Sequence, residues 1–456
     1  MRTLYTLLVA LALPFASLAV LWRSLSNPEY RRGWRERFGR GAPLPGTERA
    51  VWVHAVSVGE VQAAQPLLKA LRQQWPERPI VVTSATPAGR ARAAALLAEL
   101  AAGKSALAGL GLGGKPAADP MLQARYAPYD LPGCVAAAIQ RYRPALLLVM
   151  ETELWPNLLH GCVRAGVPVL MVSARVSERT AGRLRRFPSL LRPALAGGVR
   201  VAAQTAEDAA RFRALGVPEQ RVVVAGNLKF DRAPGESLRK AGAELRARWA
   251  PKRLLWVAGS THAGEEQAAM WAHGRLLREL GDALLVLAPR HAPRFKEVAQ
   301  LLAGSGLGIL KFSDWKQGKG DDPARCQVVL LDTIGDLEAC YAAADIAFVG
   351  GSLVPQGGHS LLEPAALGVA TVAGRHQDAA PAVAEGLVAR GAVTLVGNSF
   401  DLSDEVLRLA QDNNARARMG ATGAAVTAAN RGALLRVLAL LGIKGNPAAA
   451  QGTPQG

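Results

Sequence analysis

Ten short apolar runs, each leading through a polar loop into a helical stretch, limit this chain to a small set of folds. The first five are AVWVH (50–54), IVVTS (80–84), ALLLVM (145–150), VPVLMV (167–172) and RVVVA (221–225). A polar segment at 231–250 reads as a connection. The alternation then restarts with RLLWVAGS (253–260), ALLVLAPR (283–290), QVVLLDT (327–333), DIAFVGG (345–351) and VATVAG (369–374). Runs this apolar are strands buried on both faces, and that burial requires a parallel sheet with helices on each side. Two such series in 456 residues predict an α/β fold of two Rossmann-like domains. Residues 402–442 read as further helices.

Ahead of the first strand, LYTLLVALALPFASLAVLW (4–22) is uncharged and almost wholly apolar. As a helix it would reach about 28 Å, close to the hydrocarbon thickness of a bilayer. A cleaved signal peptide is the competing reading. Arg23, Arg31, Arg32, Arg35, Arg37 and Arg40 follow at once and disfavour export, so a retained anchor is expected, with this block on the cytoplasmic side against anionic headgroups. The net charge of +18 suits a membrane surface, phosphorylated substrates or nucleic acid. No nucleic-acid motif or zinc-finger spacing appears, and no nucleic-acid partner is expected. Cys134, Cys162, Cys326 and Cys340 form no CxxC pair and read as core residues of a protein in a reducing compartment. The expected organisation is an anchor at 1–22, Rossmann-like domains at 23–232 and 233–443, and a flexible tail at 444–456, with a flexible glycine- and alanine-rich insertion at 101–120.

Ligand sites in open α/β sheets lie at the carboxyl ends of the strands. Behind the first run, Ser57-Val58-Gly59 turns the chain and Glu60 enters a helix. Its carboxylate can act as a base, or be no more than a favourable anion in a first turn. METELWPNLL (150–159) puts Glu151 and Glu153 behind a buried strand. One suits the helix that Pro156 starts; the other suits orienting an acceptor or tuning Glu60. SARVSERTAGRLRRFPSLLR (173–192) offers arginines to a phosphate or headgroup, unless it is a solvated basic helix. GNLKFD (226–231) holds Lys229 in a turn, either in a buried ion pair or as a cation near a reaction centre. In the second series, GSTHAGEE (259–266) offers backbone N–H groups and the Ser260 and Thr261 hydroxyls as a phosphate cradle. Arg290 in APRH reads as a phosphate clamp, and DTIGDL (332–337) adds a glycine turn with Asp336. The glycine-rich FVGGSLVPQGGHSLLEPAALG (348–368) leads through His359 and Ser360 into a helix with Glu363, suited to accept hydrogen bonds from both hydroxyls of a ribose. There is no HExxH and no DxD set, so no metal is expected, and charge on a leaving nucleotide falls to Arg290, Lys229 and helix dipoles.

Together, HAVSVGEVQAAQPL, TSATPAGR, PYDLP, METELWPNL, SARVS, GNLKFD, STHAGEE, PRHAPRF and GGSLVPQGGHSLLEP resemble the 3-deoxy-D-manno-octulosonic acid (Kdo) transferases of lipid A assembly. The resemblance runs from about residue 30 to about residue 375. It implies the GT-B glycosyltransferase fold, with two Rossmann-like domains facing across a cleft. It also implies an inverting transfer of Kdo from CMP-Kdo to lipid IVA in lipopolysaccharide biosynthesis at the inner membrane. Residues 23–232 would then bind the acceptor and residues 233–443 the CMP-sugar. The family's base corresponds to Glu60, and its transition-state helpers to Glu151 and Lys229. Its CMP contacts correspond to Pro289, Arg290, Ile334, Gly335, Asp336, Ser360, Leu361, Leu362 and Glu363. No cofactor is implied beyond the co-substrate CMP-Kdo. The chain departs from the family pattern at Ser360, where Asn is usual, and at Gly374–Asp378, which lacks the usual Asn-Phe. Competing readings are another inverting GT-B transferase on a lipid-linked sugar, a sugar-nucleotide epimerase or hydrolase, and a catalytically dead membrane scaffold.

Overall fold

The computed structural model describes residues 1–26, 28–102, 119–231, 234–319 and 322–443. Most of the expected insertion at 101–120, and the whole expected tail at 444–456, lie outside the described residues. The chain forms two compact units. Met1–Arg232 belongs to the first, together with the described residues from Arg431 onward; Ala233–Asn430 forms the second.

The first unit is built on seven parallel strands: β1 (Ala50–His54), β2 (Ile80–Ser84), β3 (Leu122–Tyr126), β4 (Pro144–Met150), β5 (Val169–Ala174), β6 (Val199–Ala203) and β7 (Val222–Val224). Their order is β3-β2-β1-β4-β5-β6-β7. Val51 pairs with Ile80 on one side and Leu146 on the other, so β1 is central. Side chains of a strand alternate between faces. Ala50 and Trp52 accordingly enter the core under one face, and Val51 and Val53 the core under the other. The order reverses between β1 and β4, and such a reversal opens a crevice at the strand ends.

The second unit repeats the plan with β8 (Leu254–Thr261), β9 (Ala283–Pro289), β10 (Ile309–Lys311), β11 (Val328–Leu330), β12 (Ile346–Val349), β13 (Ala370–Gly374) and β14 (Val393–Val396). The order is β10-β11-β9-β8-β12-β13-β14, all parallel, with the reversal between β8 and β12. Trp256 and Ala258 face one core, Leu255 and Val257 the other. All ten expected strands form. The four that the apolar runs did not announce are β3, β6, β10 and β14. Three of these are edge strands, and β6 carries an exposed Arg200 among its apolar residues. A strand covered less completely needs no unbroken apolar run.

Two expectations change. Residues 231–250, read as a connection, contain the helix Glu236–Trp249. Its fully buried Trp249 meets Phe312 and Trp315 edge-on, with ring centroids 5.6 and 5.1 Å apart. The second correction concerns the end of the 233–443 domain. The helix Ala433–Leu440 belongs to the first unit, where Ala433, Val437 and Leu438 join the core of Val51, Val53, Leu67 and Leu68. Asp231 receives the returning chain: its carboxylate accepts from Gly432 N–H and, at 2.6 Å, from Leu434 N–H. Apolar periodicity foretold a helix here but says nothing of which core it covers.

Arg2–Ser26 is one helix whose side chains at Leu7, Leu8, Leu11, Phe15, Leu18 and Trp22 are exposed. Arg2–Leu25 is long and apolar enough to cross a membrane, and its most apolar stretch is not buried in the protein. Its first turns are tied down, with Tyr5 Oη–H donating to Asp130 Oδ2 at 2.9 Å and Thr6 bonded to Asn157.

Leu438→Ala should cost about 2–4 kcal/mol of stability. Hydrogen exchange should show faster opening of β1 and β2, with β8 and β12 unaffected. Faster exchange confined to β8 and β12 would contradict the assignment of this helix.

Candidate functional site

In the first unit the candidate residues gather behind β1, β4 and β7, on either side of the strand-order reversal. Ser57 caps the helix Val58–Ala63, its side chain accepting from Glu60 N–H, and this cap fixes the turn carrying the glutamate. The Glu60 carboxylate is buried; Oε2 accepts from Val56 N–H at 2.9 Å and Oε1 from the Ser57 hydroxyl at 3.1 Å. Burial raises its pKa from 4.5 to about 7, with Glu153 and then Glu151 adding to the rise, against the bonds from Val56 and Ser57. An exposed first-turn anion would not hold its proton near neutrality, and a proton held there can be exchanged.

Behind β4, Glu151 is buried at φ +50°, a region that costs a non-glycine residue energy. Lys229 Nζ lies 2.7 Å from its Oε1 and Arg175 Nε 3.5 Å from its Oε2. Among the described residues no aligned donor reaches Oε1, so the Lys229 contact is one of opposite charges. The lysine turn is held by Ser173, whose Oγ accepts from Leu228 N–H at 3.0 Å, and by Asn227 Oδ1, which accepts from Lys229 N–H at 3.0 Å. Glu153 accepts from Trp155 Nε1–H at 2.6 Å, and Trp155 packs edge-on to buried His54 at 4.5 Å. The helix behind this loop starts at Pro156. Glu60, Glu151 and Lys229 thus converge through loops, as do Arg175 and Glu153.

In the second unit, loops behind β8, β9, β11 and β12 bring the other candidates to one edge. Pro289 is buried and Arg290 exposed, with Arg290 N–H bonded to Thr261 O at 3.0 Å. Ile334 is 84% exposed, and Gly335 at φ +98° turns the chain. Asp336 accepts from the Thr333 hydroxyl at 2.6 Å and pairs with Lys316 at 3.0 Å. Ser360 is exposed, Leu361 is buried, and Leu362 and Glu363 begin a six-residue helix.

One backbone donor of the expected phosphate cradle at GSTHAGEE, His262 N–H, is taken by the stretch's own Glu265. Ser260 and Thr261 belong to β8, and the Thr261 hydroxyl is buried. Glu265 is fully buried, and its carboxylate accepts from four backbone N–H groups, those of His262, Gly351, Ser352 and Leu353, at 2.7–2.9 Å. A protein carboxylate occupies donors that sequence reasoning offered to a ligand. Arg175, offered by the sequence to a phosphate or headgroup, pairs instead with Glu151, and sequence reasoning missed His262, His291 and His359 as a group. The available signal was three histidines, each just behind or between glycine-rich strand ends.

A family profile described as "3-Deoxy-D-manno-octulosonic-acid transferase (kdotransferase)" matches residues 32–232. Over 446 residues the chain is 34% identical to the 3-deoxy-D-manno-octulosonic acid transferase of Haemophilus influenzae, covering 96% of this chain and 98% of that protein. It is 37% identical over 407 residues to the enzyme of the same name from Bordetella pertussis, covering 88% and 89% respectively. Among solved structures, the UDP-GlcNAc 2-epimerase of Neisseria meningitidis aligns with TM-score 0.53 at 14% identity, over 87% of this chain and all of that one. Identity that low conveys the shared fold alone.

Two measurements test the geometry. Folded Glu60 keeps its proton up to about 7, whereas an unfolded glutamate loses it near 4.5, so this group's contribution to stability falls as pH rises across that window. Glu60→Gln should therefore gain stability relative to the parent between pH 4 and pH 8, on the order of 3 kcal/mol by urea unfolding; parallel profiles would refute the burial cost. For the ion pair, a double-mutant cycle of Glu151→Gln and Lys229→Met should give a coupling of at least about 1 kcal/mol. Additive effects would show no pairing.

Proposed function

The chain belongs to the 3-deoxy-D-manno-octulosonic acid (Kdo) transferase family, and we propose that it transfers Kdo from CMP-Kdo to lipid IVA by a single inverting displacement with Glu60 as base. The observation that carries this reading is the buried Glu60 carboxyl, with its proton equilibrium near neutrality, in a chain that matches curated Kdo transferases nearly end to end. Glu60 takes the proton from an acceptor hydroxyl as its oxygen bonds to the anomeric carbon of Kdo. The bond from that carbon to the CMP phosphate oxygen breaks, and CMP leaves with the bonding electrons. One displacement needs one base and no covalent nucleophile, and it inverts the anomeric centre.

Lys229, held by Glu151, supplies positive charge where the sugar carboxylate and departing phosphate concentrate negative charge. Glu151 holds the lysine in place. In the second unit, Pro289, Arg290, the Ile334-Gly335-Asp336 turn and Ser360 through Glu363 hold the CMP half. The donor is a co-substrate, and the reaction proceeds without a metal ion. The exposed apolar helix Arg2–Leu25, followed by arginines, fits a protein held at the cytoplasmic face of the inner membrane, where an acylated, phosphorylated acceptor resides. An epimerase or hydrolase would need no such helix.

Purified protein given CMP-Kdo and lipid IVA should release CMP and add Kdo mass to the acceptor. Well-folded protein that releases no CMP and leaves the acceptor mass unchanged would overturn the assignment. Glu60→Gln should lower kcat by about 10²–10⁴-fold while donor binding persists. In the parent at saturating donor, kcat/KM for the acceptor should rise with pH to a plateau, with a midpoint near the Glu60 value of about 7. Ser57→Ala removes a bond to the ionised carboxylate, so the rise should move to higher pH; an unmoved profile would assign that limb to another group.

A further inference from the structure

Three histidines without a role so far meet in the second unit. His262 follows β8, His291 follows Arg290 behind β9, and His359 precedes Ser360 in the loop behind β12. The Nε2 atoms of His262 and His359 stand 2.9 Å apart. Their ring planes lie within 9° with centroids 5.2 Å apart, so the rings meet edge to edge in nearly one plane, and His291 packs edge-on to His262 at 5.4 Å. Gly351 makes the approach possible: at φ +68°, a Cβ there would lie 2.9 Å from the His359 ring. The strands β8 and β12 are neighbours at the reversal of strand order, so the pair sits where an open sheet takes its ligand.

A contact this short between two ring nitrogens holds one hydrogen, with one Nε2 donating and the other accepting. Two nitrogens sharing a tetrahedral zinc would stand about 3.3 Å apart, so the spacing is that of a hydrogen bond. The pair can be neutral, or it can carry one added proton with the shared hydrogen still in place. Two added protons would set two N–H groups against each other.

Burial, with the cationic neighbours adding to it, favours the neutral pair in the free protein. Burial, then Arg290, His262 and His291, lower the His359 pKa to about 4. For His262, burial lowers the value, Glu265 raises it, His291 lowers it, Glu266 raises it and Arg290 lowers it. Glu265 is engaged by its four backbone donors, and Glu266 is paired with Arg294. An anion arriving beside the rings reverses the balance, because a nearby negative charge favours the protonated imidazole.

We propose that His262 and His359 act as one donor-binding unit that takes up a single proton when the donor's phosphodiester binds beside Arg290 and Ser360. This rests on the reading that Arg290 and Ser360 through Glu363 hold the CMP half. Donor affinity then weakens as pH rises, while the base becomes more competent as pH rises. The two limbs belong to different units and can be separated by measurement.

The probe is cytidine 5′-(methyl phosphate), a diester with no group that titrates near neutrality, with the full chain in detergent micelles. Calorimetry at pH 7 in two buffers of different ionisation enthalpy should show uptake of about 0.3–1 proton per diester bound. The Kd should rise about 4- to 100-fold from pH 6 to pH 8, in step with the uptake. His262→Gln and His359→Gln should each abolish the uptake and flatten the Kd profile, and His160→Gln, in the first unit, should change neither. In unmutated protein labelled with ¹³C at its seven histidines, the diester should move two ring signals towards the protonated position. Binding without proton uptake, or with no ring signal moving, overturns this inference and leaves the donor site standing. Uptake that persists in both glutamine variants overturns the assignment to this pair. No binding at millimolar diester overturns the donor site and this inference together.

Discussion

A parallel strand cannot return to its neighbour through a tight turn; it must cross over through a helix, and every crossover leaves from the same edge of the sheet. Each of the two seven-stranded sheets therefore gathers its strand-to-helix loops along one edge. The strand order then reverses once, between β1 and β4 in the first unit and between β8 and β12 in the second. The candidate chemistry stands beside these reversals: Glu60 and Glu151 flank the first, His262 and His359 the second. Apolar burial on both faces makes the frame rigid, so side chains on its loops can hold strained or desolvated positions.

The loops are held by charges turned inward. Glu265 gathers backbone donors from two loops, and Asp231 caps the helix that brings the chain back to the first unit. In each case a carboxylate satisfies backbone groups that burial would otherwise leave unpaired, which a neutral side chain of similar size does less strongly. Glu60 differs in kind. Among the described residues it accepts two hydrogen bonds, and it lies near two further carboxylates, so its ionised form is under-supported and its proton remains exchangeable.

Much of this was legible in the sequence, for a physical reason. A buried parallel strand must be apolar on both sides, so β1, β2, β4 and β5 stand out as runs, whereas LQARY and ILK at sheet edges do not. Glu60, Glu151, Lys229 and Arg290 could be picked out because a charged residue directly behind such a run sits at a ligand-facing edge. What a local pattern could not express is pairing across the chain. The Glu151–Lys229 contact joins residues behind β4 and β7, and the His262–His359 contact joins residues behind β8 and β12. GSTHAGEE looked like a phosphate cradle because its amides are visible in sequence, while it takes the structure to show Glu265 turning back to hold the His262 amide and three amides of the loop behind β12.

The sequence by itself determined the two α/β units, the apolar leading helix, the strand ends that carry the chemistry and the resemblance to Kdo transferases. Those follow from periodicity, composition and ordered motifs, all of which are local. Tertiary structure alone decided that Ala433–Leu440 completes the first core, that Glu265 occupies the loop amides, and that burial beside Glu153 and Glu151 moves the Glu60 proton towards neutrality. Desolvation and charge coupling depend on distance through space, and a one-dimensional chain does not record that distance.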